Sequence, residues 1–142
     1  MKISIGADHG GFELKAELIS FLKNSGHSVI DHGTNSADSV DYPDYAKPVA
    51  HDILEKRADF GVLICGSGIG ISIAANRFAG IRAALVTRKE YAILSRQHNN
   101  ANIIALGGRF TTVEEAKEYL TLFLSTPFEG GRHEKRVCKI DE

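Results

Sequence analysis

Short apolar, β-branched runs alternate along this chain with longer segments whose apolar positions recur at helical spacing. The runs Ile3 to Ala7, Ser28 to Asp31, Asp59 to Cys65, Ile81 to Thr87 and Asn102 to Leu106 predict five strands. Between and after them, Phe12 to Leu22, Tyr45 to Leu54, Ile71 to Phe78, Lys89 to Gln97 and Val113 to Leu124 predict helices. Regular alternation of the two element types implies an α/β fold, a five-stranded parallel sheet with helices on both faces. Thr111-Thr112-Val113-Glu114-Glu115 has the composition of a capped helix start, in which a threonine hydroxyl accepts orphan N–H groups and the glutamates complement the helix dipole. Past Pro127, a basic segment from about residue 130 predicts a further helical tail. No repeat, low-complexity tract or linker divides the 142 residues, so one domain over residues 1–142 is expected.

The composition, 43% hydrophobic and 25% charged, is ordinary for a globular protein. A net charge of −1 offers no general attraction to nucleic acid or to an anionic membrane, so neither partner is expected and functional positive charge has to be local. Two cysteines, Cys65 and Cys138, make no disulfide framework, and no apolar run after Met1 has the length of a signal or a membrane span. The expectation is a cytoplasmic protein. The six histidines are scattered without ligand spacing, so neither a metal nor another cofactor is expected.

Chemistry concentrates where the third apolar run ends, at Cys65-Gly66-Ser67-Gly68-Ile69-Gly70. Alternate glycines let backbone N–H groups face a ligand, and the helix that follows adds its positive amino-terminal end, so an oxyanion could be held beside the thiol. A cysteine in that setting is favoured as a thiolate and can act as base or nucleophile; the bland alternative is a small buried hydrophobe. A phosphatase loop would need an arginine six residues after the cysteine, and that position is Ile71. His98, before Asn99 and Asn100, is either a dipole-stabilised helix end or a proton donor near neutral pH. Asp8-His9-Gly10-Gly11 after the first strand reads as a turn and cap or as sugar and phosphate contacts, and Asp41-Tyr42-Pro43 as a helix entry or a hydroxyl contact. Arg132 and Arg136, four apart, share a helix face, where paired guanidiniums suit phosphate; Arg109 would add a third. Ligands of open α/β sheets gather beyond the carboxyl ends of the strands, so the Asp8, Cys65 and His98 segments are expected to converge on one cleft there.

Taken together, Gly6-Ala7-Asp8-His9-Gly10-Gly11-Phe12, Asp41-Tyr42-Pro43, Cys65-Gly66-Ser67-Gly68-Ile69-Gly70, Ser95-Arg96-Gln97-His98-Asn99-Asn100-Ala101-Asn102 and Arg132-His133-Glu134-Lys135-Arg136 resemble the ribose-5-phosphate isomerase B family, which also contains galactose-6-phosphate isomerase subunits. The resemblance spans almost the whole chain. It implies a Rossmann-like three-layer sandwich and a metal-free aldose–ketose isomerase that interconverts ribose 5-phosphate and ribulose 5-phosphate through an enediolate. By that resemblance Cys65 is the base and Ser67, where a threonine is common, assists it. His98 opens the sugar ring and Asp8 helps to position the sugar. Tyr42, Gly66, Gly68, Ile69, Gly70 and Asn99 contact the substrate, and His9, Arg109, Arg132 and Arg136 hold the phosphate. A subdivision of the family that places a glutamate six residues after the cysteine position is excluded by Ile71. Homodimers, or dimers of dimers with shared active sites, are also implied. Allose 6-phosphate or galactose 6-phosphate, or a catalytically silent phosphosugar-binding role, are the alternatives.

Overall fold

Five parallel strands, β1 (Lys2–Ala7), β2 (Ser28–Asp31), β3 (Phe60–Cys65), β4 (Ala83–Leu85) and β5 (Ile103–Gly107), pair in the order β2-β1-β3-β5-β4 in the computed structural model, which describes residues 1–142. The helices are α1 (Phe12–Asn24), α2 (Pro43–Leu54), α3 (Ile69–Asn76), α4 (Lys89–Gln97), α5 (Val113–Ser125) and α6 (Arg132–Ile140). Successive strand residues point to opposite faces, so each central strand feeds two cores. Ile3, Ile5, Val62, Ile64, Ile104 and Leu106 pack with α1, α4 and α5 through Leu18, Ala92 and Phe123. Leu63, Cys65, Ile103 and Ala105 pack with α2 and α3 through Val49 and Ile71. The expected α/β sandwich is therefore the observed one. β1 leads into α1 on one face and β3 into α3 on the other, so a crevice opens where the loops after these adjacent strands part.

Boundaries shift where local chemistry intervenes. β4 is shorter than the run Ile81 to Thr87, because this edge strand pairs with β5 alone and the Arg82 N–H donates to the Asn102 side chain at 2.8 Å. α2 begins at Pro43, whose missing N–H costs nothing in a first turn. α3 begins at Ile69 because Gly68, at φ 78°, turns the chain into it. The Thr112 to Glu115 capping box is present, its backbone and side-chain bonds 3.1 and 2.9 Å long.

Beneath the α2 face, buried Asp52 ties three segments together. It accepts from Ser4 Oγ at 2.8 Å and Arg57 Nε at 2.8 Å, and pairs with His32 Nε2 at 2.6 Å. Burial raises its pKa, but the bonds from His32, Arg57 and Ser4 outweigh that, and the carboxyl sits below its ordinary value. Such a group stabilises the fold above its unfolded pKa, and the contribution is lost as pH falls through the lower folded pKa. Asp52→Asn is expected to cost about 2–3 kcal/mol at pH 7. The gap from wild type should narrow under acid as the wild-type carboxylate protonates, as read by denaturant melts at pH 7 and pH 3.

Candidate active site

The last residue of β3 is Cys65, 4% exposed, its side chain on the α2 and α3 face. The chain then turns through Gly66-Ser67-Gly68, and the left-handed φ of Gly68 brings its own N–H back to Cys65 Sγ at 3.2 Å. A Cβ at Gly68 would lie 2.6 Å from Leu85 Cδ1. That N–H and the amino-terminal end of α3 place positive potential at the sulfur. The Ser67 hydroxyl accepts the Ile69 N–H at 3.1 Å and is solvent-exposed, so its proton remains free to donate.

Neighbouring loops close around this turn. Gly108 N–H donates to Cys65 O at 2.8 Å and Arg109 N–H to Gly66 O at 3.0 Å, which fixes the loop after β5 against the loop after β3. Arg109 lays its guanidinium across Gly66, where a Cβ would come within 2.8 Å of Nη1, and it forms no ion pair. From β1, buried Asp8 accepts the Gly10 N–H at 2.8 Å through Oδ1. His9 Nδ1 accepts the Val40 N–H at 3.2 Å, which puts the proton of a neutral ring on Nε2. Tyr42 caps α2 and lies over Gly70, where a Cβ would stand 2.7 Å from the ring. Asp8, Tyr42, Cys65, Ser67 and Arg109 thus line one cleft of about 460 Å³, with Gly66, Ile69 and Gly70 supplying backbone. Phe110, 80% exposed, also lines it. Sequence reasoning passed over that aromatic, although it directly follows Gly107-Gly108-Arg109.

The remaining expected residues are elsewhere. In a parallel sheet only strand-to-helix loops lie at the carboxyl edge; helix-to-strand loops lie at the amino edge. α4 runs back, so His98 at its end precedes β5 and sits at the amino edge, where Asn102 O accepts the Gly61 N–H at 2.9 Å. Gly61 pairs with Ile103 and Cys65 with Gly107. That run of strand separates the two edges by about 13 Å. The expected convergence of His98 with Asp8 and Cys65 in one cleft therefore does not occur within one chain. Asn99 lines a different cavity of about 410 Å³ at the amino edge, with Arg82 and Ile140. α6 packs there too, through an Arg82 to Asp141 ion pair at 2.9 Å, and carries Arg132 and Arg136, both exposed and unpaired. His98 stacks on His133, centroids 4.3 Å apart and rings inclined 13°, with Glu129 beside both. The expected site residues thus fall into two groups on opposite edges of the sheet.

The family model described as Ribose/Galactose Isomerase matches residues 3–140. Ribose-5-phosphate isomerase B of Escherichia coli (strain K12) is 49% identical over 139 residues, 98% of this chain and 93% of the relative. A putative sugar phosphate isomerase of Bacillus subtilis (strain 168) is 43% identical over 143 residues, 100% of this chain and 96% of its own. Among solved structures, ribose 5-phosphate isomerase from Thermotoga maritima superposes with TM-score 0.97 at 56% identity, covering 99% of this chain and 97% of that one. Ribose-5-phosphate isomerase B of Clostridium thermocellum gives TM-score 0.98 at 50% identity, covering 99% and 95%.

Proposed function

The chain belongs to the ribose/galactose isomerase family, and from that premise we propose that it is an aldose–ketose isomerase interconverting D-ribose 5-phosphate and D-ribulose 5-phosphate, with Cys65 as the base. The observation that carries the cysteine is the Gly68 N–H donated to Sγ at 3.2 Å inside the cleft. Isomerisation moves one proton from C2 to C1 and another from O2 to O1. Cys65 takes the C2 proton as thiolate and returns it to C1, while the Ser67 hydroxyl assists on the oxygen side. Negative charge that develops on the enediolate oxygens meets the N–H groups of Gly66 and Gly70, donors fixed before the reaction starts, while the Gly68 and Ile69 N–H groups are held by Cys65 Sγ and the Ser67 hydroxyl. Asp8 and Tyr42 orient the sugar.

Ring opening and much of the phosphate grip come from the other half-site. Arg109 and His9 approach the cleft from the carboxyl edge, whereas His98, Asn99, Arg132 and Arg136 stand across the sheet. A homodimer, alone or paired into a dimer of dimers, completes each cleft by bringing the partner subunit's His98, Asn99, Arg132 and Arg136 over it. Support comes from the unpaired guanidiniums of α6 and from Ile69 and Ile73, 53% and 60% exposed, a bare apolar pair one turn apart on α3 beside the cleft. No helix is long and apolar enough to cross a membrane. A cytoplasmic setting accords with the phosphorylated sugar and with the free thiols of Cys65 and Cys138.

Allose 6-phosphate or galactose 6-phosphate is the second reading, favoured by a family model that covers both ribose and galactose isomerases. Turnover of ribose 5-phosphate and of allose 6-phosphate by the purified chain, with chelator present, decides between them. Faster pentose turnover is expected. Turnover of allose 6-phosphate alone would reassign the substrate, and binding of either sugar without turnover would make the chain a phosphosugar-binding protein.

A further inference from the structure

At the amino edge, the end of α4, the loop after α5 and the start of α6 bring His98, Glu129 and His133 together, with their ligand atoms all within 4.8 Å of one another. The Glu129 N–H donates to Gln97 O at 3.1 Å, which pins the carboxylate beside His98, and Glu129 and His133 stand four residues apart. Glu129 Oε1 lies 3.5 Å from His133 Nε2 and 3.9 Å from His98 Nε2. Both separations exceed the roughly 2.7–2.9 Å of a charge-assisted hydrogen bond. They instead approach the edge of a tetrahedron around an ion with ligands at 2.0–2.1 Å, about 3.3–3.4 Å. No lysine or arginine pairs with Glu129.

We propose that His98, Glu129 and His133 form a binding site for a divalent transition ion of the zinc class, and that the ion inhibits the enzyme. Two imidazoles and one carboxylate suit a borderline ion better than calcium or magnesium, and leave a fourth position for water. In the stack the ring planes are nearly parallel; a turn of one imidazole about its last torsion converges the lone pairs. His98, 42% exposed in its side chain, has room to make that turn. The sequence signal was divided, because Glu129 and His133 are near neighbours but His98 lies 31 positions before Glu129. Inhibition rests on the reading of His98 as the ring-opening acid, since a nitrogen bound to zinc has neither proton nor lone pair to offer the sugar. Binding does not rest on it.

The two cysteines are competing zinc ligands, so binding is measured on the Cys65→Ala/Cys138→Ala chain by competition with a chromophoric chelator. Co2+ serves as a spectroscopic probe. One equivalent of Zn2+ per chain is expected, weakened at least about tenfold by adding His133→Ala or Glu129→Ala, with Co2+ absorption free of a thiolate charge-transfer band. No binding without the cysteines, or binding indifferent to both added substitutions, overturns the site. With wild-type cysteines, zinc should slow ribose 5-phosphate turnover reversibly, and less so in Glu129→Ala, each measured against its own chelator-treated rate. Stoichiometric binding with unaltered turnover would uphold the site and overturn inhibition, and absent turnover under chelator would fault the isomerase reading instead.

Discussion

Cys65→Ala is expected to isomerise ribose 5-phosphate at least about a thousandfold more slowly than the wild type, within the range a positioned base contributes. Sugar-phosphate affinity should change little, because the groups proposed to hold the phosphate are His9, Arg109 and the arginines of α6. The Gly68 N–H that faces Sγ at 3.2 Å would then meet a methyl group, and nothing else in the cleft can take the C2 proton from that position. Asp8 also lines the cleft, but its carboxylate is turned to the Gly10 N–H through Oδ1 and does not lie against the Gly68 N–H that faces the sulfur. Removing one buried sulfur is expected to cost only about 1 kcal/mol of stability, so a folded variant can be assayed. Two readouts test this: turnover under chelator, and exchange of the C2 proton with solvent deuterium, which reports the base directly. Turnover within tenfold of wild type would remove Cys65 from that role.

The grouping of Asp8, Cys65 and Ser67 at the carboxyl edge was legible because local signals set it. A β-branched run ending in Cys65 has to deliver the side chain at the end of β3, and the glycines after it admit only a tight turn into α3. Tyr42, in a strand-to-helix loop, and Arg109, just after β5, fall on the same edge for the same reason. His98 was misplaced by extending the carboxyl-edge rule to a helix-to-strand loop. The alternation of strands and helices already implied that α4 runs back toward the amino edge, so direction, not information, was missing. Strand order was different in kind. No local pattern told that β3 lies between β1 and β5 and that β4 is an edge, because order is settled by which crossovers bury the two apolar sets together. Likewise the pairing of His98 with His133 and Glu129 depends on how α6 folds back after residue 126, a contact between segments that share no periodicity.

The placement of Cys65 and His98 at opposite edges makes a sharper test of shared clefts than any single substitution. Cys65→Ala and His98→Ala chains should each be nearly inactive alone, yet regain turnover when they are unfolded and refolded together. In a mixed dimer one cleft combines the alanine at 65 with the alanine at 98 and is dead. The other combines an intact Cys65 with an intact partner subunit's His98 and is whole. Random pairing makes half of the dimers mixed, each with one of its two clefts intact, so about a quarter of wild-type activity is expected at equal input. That is a rise of about 250-fold over Cys65→Ala, given the thousandfold loss expected for it, and of at least about 25-fold over His98→Ala. A mixture as inactive as its parents, with mixed dimers verified by a tag on one variant, would mean that Cys65 and His98 serve the same cleft from one chain. The sheet argues against that outcome: five residues of strand, Gly61 to Cys65, span the two edges, held in register by β5 along their whole length and by β1 from Gly61 to Ile64. A run of strand about 13 Å long lies beyond the reach of any side-chain rotation, so an imidazole that serves the same cleft as the thiol has to come from a second copy.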